Sequence, residues 1–467
     1  MPSVLQSFET TPAEVTHAAT VIEGLDGCLA AGFARLGAEQ LAALDSLARV
    51  FRGTPLEAPV VAANKAIRRS EFLEKYLVSL AAARGALLGS VHDALSARAA
   101  SALGRGLPSE APKEEAEAQA LPGNLSTLLE SCRQWLLEVA LAGFLQLSAE
   151  TVLPFAATLE RLQDEPLLLR QAAVLTGFFE ELSAAIPLEL AKTQPIYRWA
   201  DLWSRSMLLC AQQPAALSQE KTSGELLILG VALRHHPHLV SLIAYGVLQN
   251  KAGARWVRCT VTTYKVDLVV DAELWRVLAD DAPILVKAIE EQTSLQLKEM
   301  TLLSSGDLCW DESKAKKGKA FSPMSTAESL FAPGAKSELI RSALPGIARH
   351  PALFFEPLFL SGFTVTSKEE ALYLQLDGAS LRIAKERLSD ASELTSADLS
   401  KSQSLFGLLC FDRGVWGVEP LAITTTIGKK TETLFVGRDN IKSLAKSKSD
   451  VLAVLKERAS KLLRAKR

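Results

Sequence analysis

Three histidines within four residues, His235, His236 and His238, are the densest set of metal-capable side chains in this chain. Imidazole nitrogens ligate zinc and copper well, but Pro237 makes the segment a turn in which consecutive side chains diverge. No cysteine or carboxylate occurs between Leu226 and Arg258 to complete a coordination sphere. A solvated hairpin turn is the expectation. Gln296 and Lys298, downstream of Asp280 and Asp281, form a second candidate, a loose version of the acid-then-[DEQ]-x-K order of one nuclease superfamily. There, carboxylates hold a divalent metal and a lysine on the same strand face stabilises developing charge. Alternating polar residues are equally what a half-exposed strand shows. Asp267, Asp271 and Glu273, near Trp275, are a third acidic group. Asp271 is expected to cap a helix beginning at Ala272, with Glu273 favourable in its first turn. Trp199 and Trp203 are four residues apart, with Arg198 and Arg205 nearby, and suit core packing or an exposed protein-binding anchor.

Signatures of several enzyme classes are absent. There is no G-x-x-x-x-G-K-[ST], no H-E-x-x-H and no G-x-S-x-G. Gly104 and Gly106 begin a G-x-G but lack the third glycine, and Asp390-Ala391-Ser392-Glu393-Leu394 has leucine where a D-x-S-x-S metal site needs serine. No catalytic residue, metal ligand or cofactor-binding residue is therefore assigned, and no cofactor is expected.

The elements that would have to position such residues change character near residue 225. The chain has 467 residues, 48% hydrophobic and 22% charged, enough for about three domains by length and for sizeable cores. Residues 1–103 have helical spacing throughout; Phe72, Tyr76, Leu80, Leu87, Val91 and Leu95 mark one apolar stripe. Residues 104–123 collapse into Gly, Pro, Ser and Glu and are expected to be a flexible linker. Helical periodicity resumes over 124–224, with Leu128, Leu129, Cys132, Trp135, Leu136 and Val139 on one face, Ser148 offering an N-cap and Pro166 opening a later helix. No fixed repeat period stands out.

From residue 225 to 439 the pattern is that of an α+β part. Leu226–Leu233, His238–Leu248 and Ala254–Tyr264 suggest an antiparallel meander. Helices over Ala272–Leu278 and Pro283–Gln292 and a strand over Leu295–Leu303 follow, then an exposed loop over 311–334 and a helix over Ser337–Ala348. Leu358–Thr366, Ala371–Leu376 and Ser380–Ala384 suggest short strands, and Leu405–Phe411 with Val415–Thr425 make the clearest hairpin. Residues 440–467 are expected to form a basic amphipathic helix. The fold class is thus mixed, all-α first and α+β with antiparallel strands second.

Net charge is −2, unevenly placed. Residues 1–225 carry 18 basic and 26 acidic side chains, whereas 442–467 alone carry nine and two. No apolar run approaches the roughly 20 residues needed to cross a bilayer, and the first residues lack the charged and apolar regions of a secretory signal. The six cysteines form no C-x-x-C pair. Free, mostly buried thiols in a reducing cytoplasm are expected, with no membrane association.

The stretch Leu128 to Phe144, with the pattern L-x-x-x-x-x-W-L-x-[ED]-[LV]-x-x-x-G-[LF], resembles the helical region of bacterial SWIM zinc-finger proteins that accompany MoxR-type AAA+ ATPases and von Willebrand-A proteins. Leu405-Phe406-Gly407-Leu408-Leu409-Cys410-Phe411 with Trp416-Gly417-Val418-Glu419-Pro420-Leu421-Ala422 is similar to a hairpin near the end of such proteins. The defining C-x-C…C-x-H zinc ligands are missing here, so zinc does not carry over. The resemblance implies an accessory component of an AAA+ ATPase system, with that ATPase or a von Willebrand-A protein as partner. The expectation is a non-enzymatic interaction or adaptor protein. Its rivals are a nucleic-acid binder using the basic tail and the Lys314–Lys319 segment as phosphate contacts, and a metal-dependent nuclease or hydrolase whose acids assemble only in three dimensions.

Overall fold

A computed structural model describes residues 4–108, 121–186, 196–212, 218–235, 239–265, 269, 273–336, 338–344, 349–389, 392, 394–412, 414–427 and 430–446. It opens with a 3-10 turn, Val4–Phe8, and the helices α1 (Ala13–Ala31), α2 (Ala38–Val50), α3 (Glu57–Arg68) and α4 (Glu74–Leu103). A second series follows: α5 (Gly123–Ala142), α6 (Ala149–Val152), α7 (Ala156–Gln163), α8 (Leu169–Ala184) and α9 (Ile196–Ala211).

These two series are copies of one unit, a repeat the sequence reading did not find. Ala31-Gly32-Phe33 and Leu36-Gly37-Ala38-Glu39 recur 111 positions later as Ala142-Gly143-Phe144 and Leu147-Ser148-Ala149-Glu150. In each copy the long first helix ends at the glycine and a 3-10 turn, Phe33–Arg35 or Phe144–Gln146, leads into the next. Val21, Leu25, Cys28 and Phe33 have Cys132, Leu136, Val139 and Phe144 as counterparts, all buried. The copies meet at the two glycines. A Cβ on Gly32 would lie 2.6 Å from the Leu141 and Ala142 carbonyl oxygens, and one on Gly143 would lie 2.4 Å from the Gly32 nitrogen. Such reciprocal contact is the mark of an isologous interface. Similarity persists where backbones touch and fades where apolar side chains need only fill volume, which hides the repeat from sequence.

The remaining chain is built as two small barrels. The first uses β1 (Gln219–His235), β2 (Leu239–Asn250), β3 (Gly253–Tyr264), α10 (Glu273–Asp281), α11 (Pro283–Glu291), β4 (Thr293–Leu303) and β5 (Asp307–Cys309). β1 pairs with β2 and with β4, β2 with β3, β3 in parallel with β5, and β5 with β4, which closes the circle. The strand order 1-2-3-5-4-1, with helices between the third and fourth strands, is the connectivity of the OB fold. β6 (Ala315–Ala320) adds to the free edge of β4, and α12 (Pro323–Phe331) follows.

The second barrel repeats that order. β7 (Glu356–Ser361) and β8 (Thr364–Lys368) act as one bent strand, followed by β9 (Ala371–Leu376), β10 (Ala379–Ile383), α13 (Ser396–Ser400), β11 (Ser402–Asp412) and β12 (Val415–Ile427). β8 pairs with β9, β9 with β10, β10 in parallel with β12, β12 with β11, and β11 with β7. β13 (Lys430–Phe435) extends β12, and α14 (Arg438–Lys446) packs against α10 and α11. The barrels meet closely: a Cβ on Gly230 of β1 would lie 2.6 Å from the Leu421 side chain. Beside this contact the Glu419 carboxylate, fully buried, accepts hydrogen bonds from Arg234 of the first barrel at 2.5 Å and from Arg387 at 3.1 Å.

Three local expectations change. Residues 311–334, expected as a loop, hold a 3-10 turn, β6 and α12, because β4 offers an open edge. The helix expected over Ser337–Ala348 is not formed at Glu338–Leu344; Ile340 pairs with β3 instead, donating to Ala254 O and accepting from Trp256 N, both at 2.9 Å. Residues 337 and 345–348 lie outside the described residues, as do 109–120 of the expected linker and 447–467 of the expected C-terminal helix. The first linker residues are docked: Arg105 donates to the Pro357 and Phe331 carbonyls at 2.6 and 2.5 Å.

Helices and barrels are joined through α4. Leu77, Leu80, Leu87 and Leu88 belong to the helical core, and Val91, Leu95, Ala99 and Leu103 belong to the barrel core. Within the helical-core stretch, between Leu80 and Leu87, lies Arg84, 1% exposed, bidentate to Asp26 at 2.7 and 3.1 Å and bonded to Asp201 at 3.3 Å. Asp201 also pairs with Arg205 and meets His350, from the segment leading into the second barrel, at 3.3 Å. His350 Nδ1 accepts from Ala352 N, so the neutral ring presents Nε2–H to Asp201. Five of the six cysteines are buried and all six are free; Cys309 is exposed. Among the described residues no helix is long and apolar enough to cross a membrane.

Two outcomes are expected. Gly32→Ala and Gly143→Ala should each cost more than the ~1 kcal/mol of a disallowed positive φ, because a backbone clash is added. Gly53→Ala, also at positive φ but with open space around it, should cost less; urea denaturation compares the three. Burial holds the His350 imidazole down to about 4. The unfolded chain, titrating near 6.5, therefore binds the proton first, so stability falls as pH drops from 6.5 towards 4, by up to about 3 kcal/mol. His350→Gln should flatten that window; equal pH slopes for both proteins would refute it.

Candidate functional site

The OB connectivity directs attention to the outer face of β2 and β3 and the loop between β4 and β5, where ligands of such barrels lie. Alternation sends Val257 and Cys259 into the barrel and Trp256 and Arg258 outward. Tyr245 is the direct cross-strand partner of Arg258, and its ring stacks on Trp256 at 6.1 Å, 13° from parallel. Ser305 and Gly306 supply the loop.

A cavity of about 430 Å³ lies on this face. Its opposite wall comes from His92, Asp93 and Ser96 of α4 with Arg349 and residues 353–357, and residues 341–344, which follow Ile340 along β3, complete it. The apolar part is Leu344, Leu353, Phe354 and Phe355 with the edge of Trp256. The polar part is mostly locked. Arg258 is bidentate to Asp307 at 2.6 and 3.0 Å, and Ser305 donates to the same carboxylate at 2.7 Å. Arg349 spans both oxygens of Asp93 at 3.1 and 3.0 Å. Arg341 and Arg105 share the Glu356 carboxylate, all three being at most one-tenth exposed. Burial lowers both arginines to about 10, with mutual repulsion adding to the shift at Arg341, so both remain cations at neutral pH. Burial also lowers the His92 ring.

Two donors on this face are uncommitted. Arg258 uses Nε and Nη2 on Asp307, leaving Nη1 without a hydrogen bond among the described residues. The Tyr245 hydroxyl makes none either, although the residue is only 4% exposed; burial pushes its phenol up to about 12, so it is a donor at all ordinary pH. Past Leu107 and Arg341 a second hollow, about 530 Å³, runs between Gly104–Leu107 and Leu330–Arg341. Leu107, Ile340 and Leu353, all exposed, surround the two.

The residues weighed from sequence lie partly outside the described residues, and those described do not come together. His235 ends β1 and is exposed; His236 and His238 lie outside the described residues, as do Asp267, Asp271, Asp390 and Glu393. Asp280 and Asp281 are exposed at the end of α10, Gln296 and Lys298 on the outside of β4, and no side-chain hydrogen bond or ion pair joins the four. Glu273 pairs with Arg276. Trp199 and Trp203 are core, 2% and 0% exposed, and Trp203 donates to Leu136 O at 2.9 Å. Arg198 pairs with Glu181. Lys314 pairs with Asp311 and Lys317 with Glu291, while β6 places Lys316 and Lys319 on a charged barrel edge. Among the described residues no three His, Cys, Asp or Glu side chains are grouped to hold a metal ion.

The pocket residues escaped sequence reasoning because each belongs to an unremarkable element. Their one visible signal was the outward parity of Trp256 and Arg258 on an otherwise apolar strand. No family model matches the chain, and no curated protein matches it significantly.

Chelation should leave the melting temperature unchanged. Loss of a stoichiometric metal together with stability would overturn the reading of His235, His236 and His238.

Proposed function

We propose that this chain is a non-enzymatic interaction protein of the cytoplasm, a duplicated helical scaffold carrying two barrels, the first of which recognises a ligand or partner group. One observation carries the reading. The carboxylates and cations on the pocket wall are paired with one another, which suits fixed hydrogen-bond donors rather than groups that exchange protons during turnover. The apolar wall and the exposed Leu107, Ile340 and Leu353 support the same reading, since apolar residues grouped around a recess mark interaction sites.

The resemblance of α5 and of the β11–β12 hairpin to accessory proteins of AAA+ systems supports a MoxR-type ATPase or a von Willebrand-A protein as partner. The finer part of this proposal is the tail. We infer that residues 440–467 form a basic amphipathic helix whose apolar stripe is Leu444, Val451, Leu455, Ala459 and Leu462. Its cations complement an acidic partner surface or the acidic helical copies of the chain itself.

Binding of the full chain to a co-encoded ATPase or von Willebrand-A protein, measured by titration calorimetry, tests the proposal. Deleting residues 447–467 is expected to weaken that complex or lower the melting temperature. If deletion leaves both intact and abolishes salt-sensitive DNA or RNA binding, the tail is a nucleic-acid contact instead. Metal-dependent hydrolysis by the purified chain would replace the adaptor reading outright.

A further inference from the structure

Within the binding reading just given, on which it rests, the pocket on the first barrel shows enough of its donor set to name a ligand class. Arg258 and Tyr245 face each other across β2 and β3, and both present donors that no described residue uses. Tyr245 lines the cavity with 4% of its surface exposed, its ring fixed by stacking on Trp256 and its hydroxyl accessible to a ligand. Ser342, beside Gly306, adds a third donor, a hydroxyl also without a hydrogen bond among the described residues. Across the cavity lie Phe354 and Phe355. A guanidinium with two hydroxyls matches an anion with three acceptor oxygens better than one with two, which favours phosphate over carboxylate. The apolar wall calls for a flat body attached to it. The volume of 430 Å³ falls at the small end of the roughly 300–1,000 Å³ of small-molecule sites.

We propose that this cavity binds a single nucleotide unit, its phosphate held by Arg258 Nη1, the Tyr245 hydroxyl and Ser342, and its base packed against Phe354 and Phe355. The enclosure argues for one unit rather than a strand running through. Where open OB barrels lay a strand across strands two and three, α4, Arg349 and residues 353–357 here stand opposite that face. Free nucleotides and the phosphorylated end of a single strand offer the same chemistry.

Titration calorimetry on the full chain uses AMP, adenosine, inorganic phosphate and a decathymidylate with or without a 5′-phosphate. AMP is expected to bind one to one, adenosine at least tenfold more weakly, and inorganic phosphate to compete. Tyr245→Phe removes only the hydroxyl and should weaken AMP by about tenfold; Arg258→Gln should weaken it further, whereas Lys319→Ala on the barrel edge should leave it unchanged. Binding of the decamer only when 5′-phosphorylated identifies a strand end as the source; binding of AMP but not of the decamer identifies free nucleotide. Both outcomes support the site. Circular dichroism and melting temperature establish that each variant is folded, and Tyr245→Phe alone suffices if Arg258→Gln is not. The site is refuted if no nucleoside phosphate binds below millimolar concentration, or if Tyr245→Phe leaves AMP affinity unaltered. Intact partner binding alongside that failure would leave the adaptor reading standing, so the two fail separately.

Discussion

The buried Arg84 cluster on α4 is the constraint on which the architecture rests. A guanidinium 1% exposed must have its five donors met inside the protein, and Asp26, Asp201, Ser204 and the Tyr197 carbonyl meet them from α1 and α9. Breaking such a pair by removing one partner leaves an uncompensated buried charge, typically worth about 3–5 kcal/mol. The cluster therefore fixes α1, α4 and α9 in one arrangement. Because Asp201 also holds His350, the arrangement extends to the segment entering the second barrel.

The pocket is a consequence of that anchoring. α4 is long enough to leave the helical core at Leu88 and enter the barrel core at Val91, carrying His92, Asp93 and Ser96 over the β2–β3 face. Ile340 then stitches the chain after α12 to the edge of β3, and Arg105 and Arg341 converge on Glu356. A face that is open in an isolated barrel becomes a walled cavity. Its walls come from four separate regions of the chain, so its shape depends on helices and barrels staying docked.

Duplication recurs at two scales. The helical copies meet through Gly32 and Gly143, where only the absence of a side chain allows backbone contact. The barrels share connectivity but bury different neighbours, with Gly230 and the Glu419–Arg234–Arg387 triad at their contact. Repeating a foldable unit and then specialising its surfaces is a route to a scaffold with several distinct faces.

The sequence by itself determined the change from helix to sheet, the α5 stripe, the β1–β3 meander and the β11–β12 hairpin, because period 3.6 and period 2 are local properties of side-chain spacing. The shared face of Trp199 and Trp203 was legible for the same reason, but its burial was decided by the tertiary structure. The boundary at residue 225 missed the first residues of β1, where exposed Gln219, Glu220 and Lys221 pair with β4. β6 and the strand-like pairing of Ile340 were decided by open sheet edges elsewhere, which override local propensity. Barrel closure and the pocket belong wholly to the tertiary structure. Each depends on contacts between residues far apart in the chain, as Arg105 with Glu356 or Tyr245 with Arg258, and nothing in their local spacing marks them as neighbours.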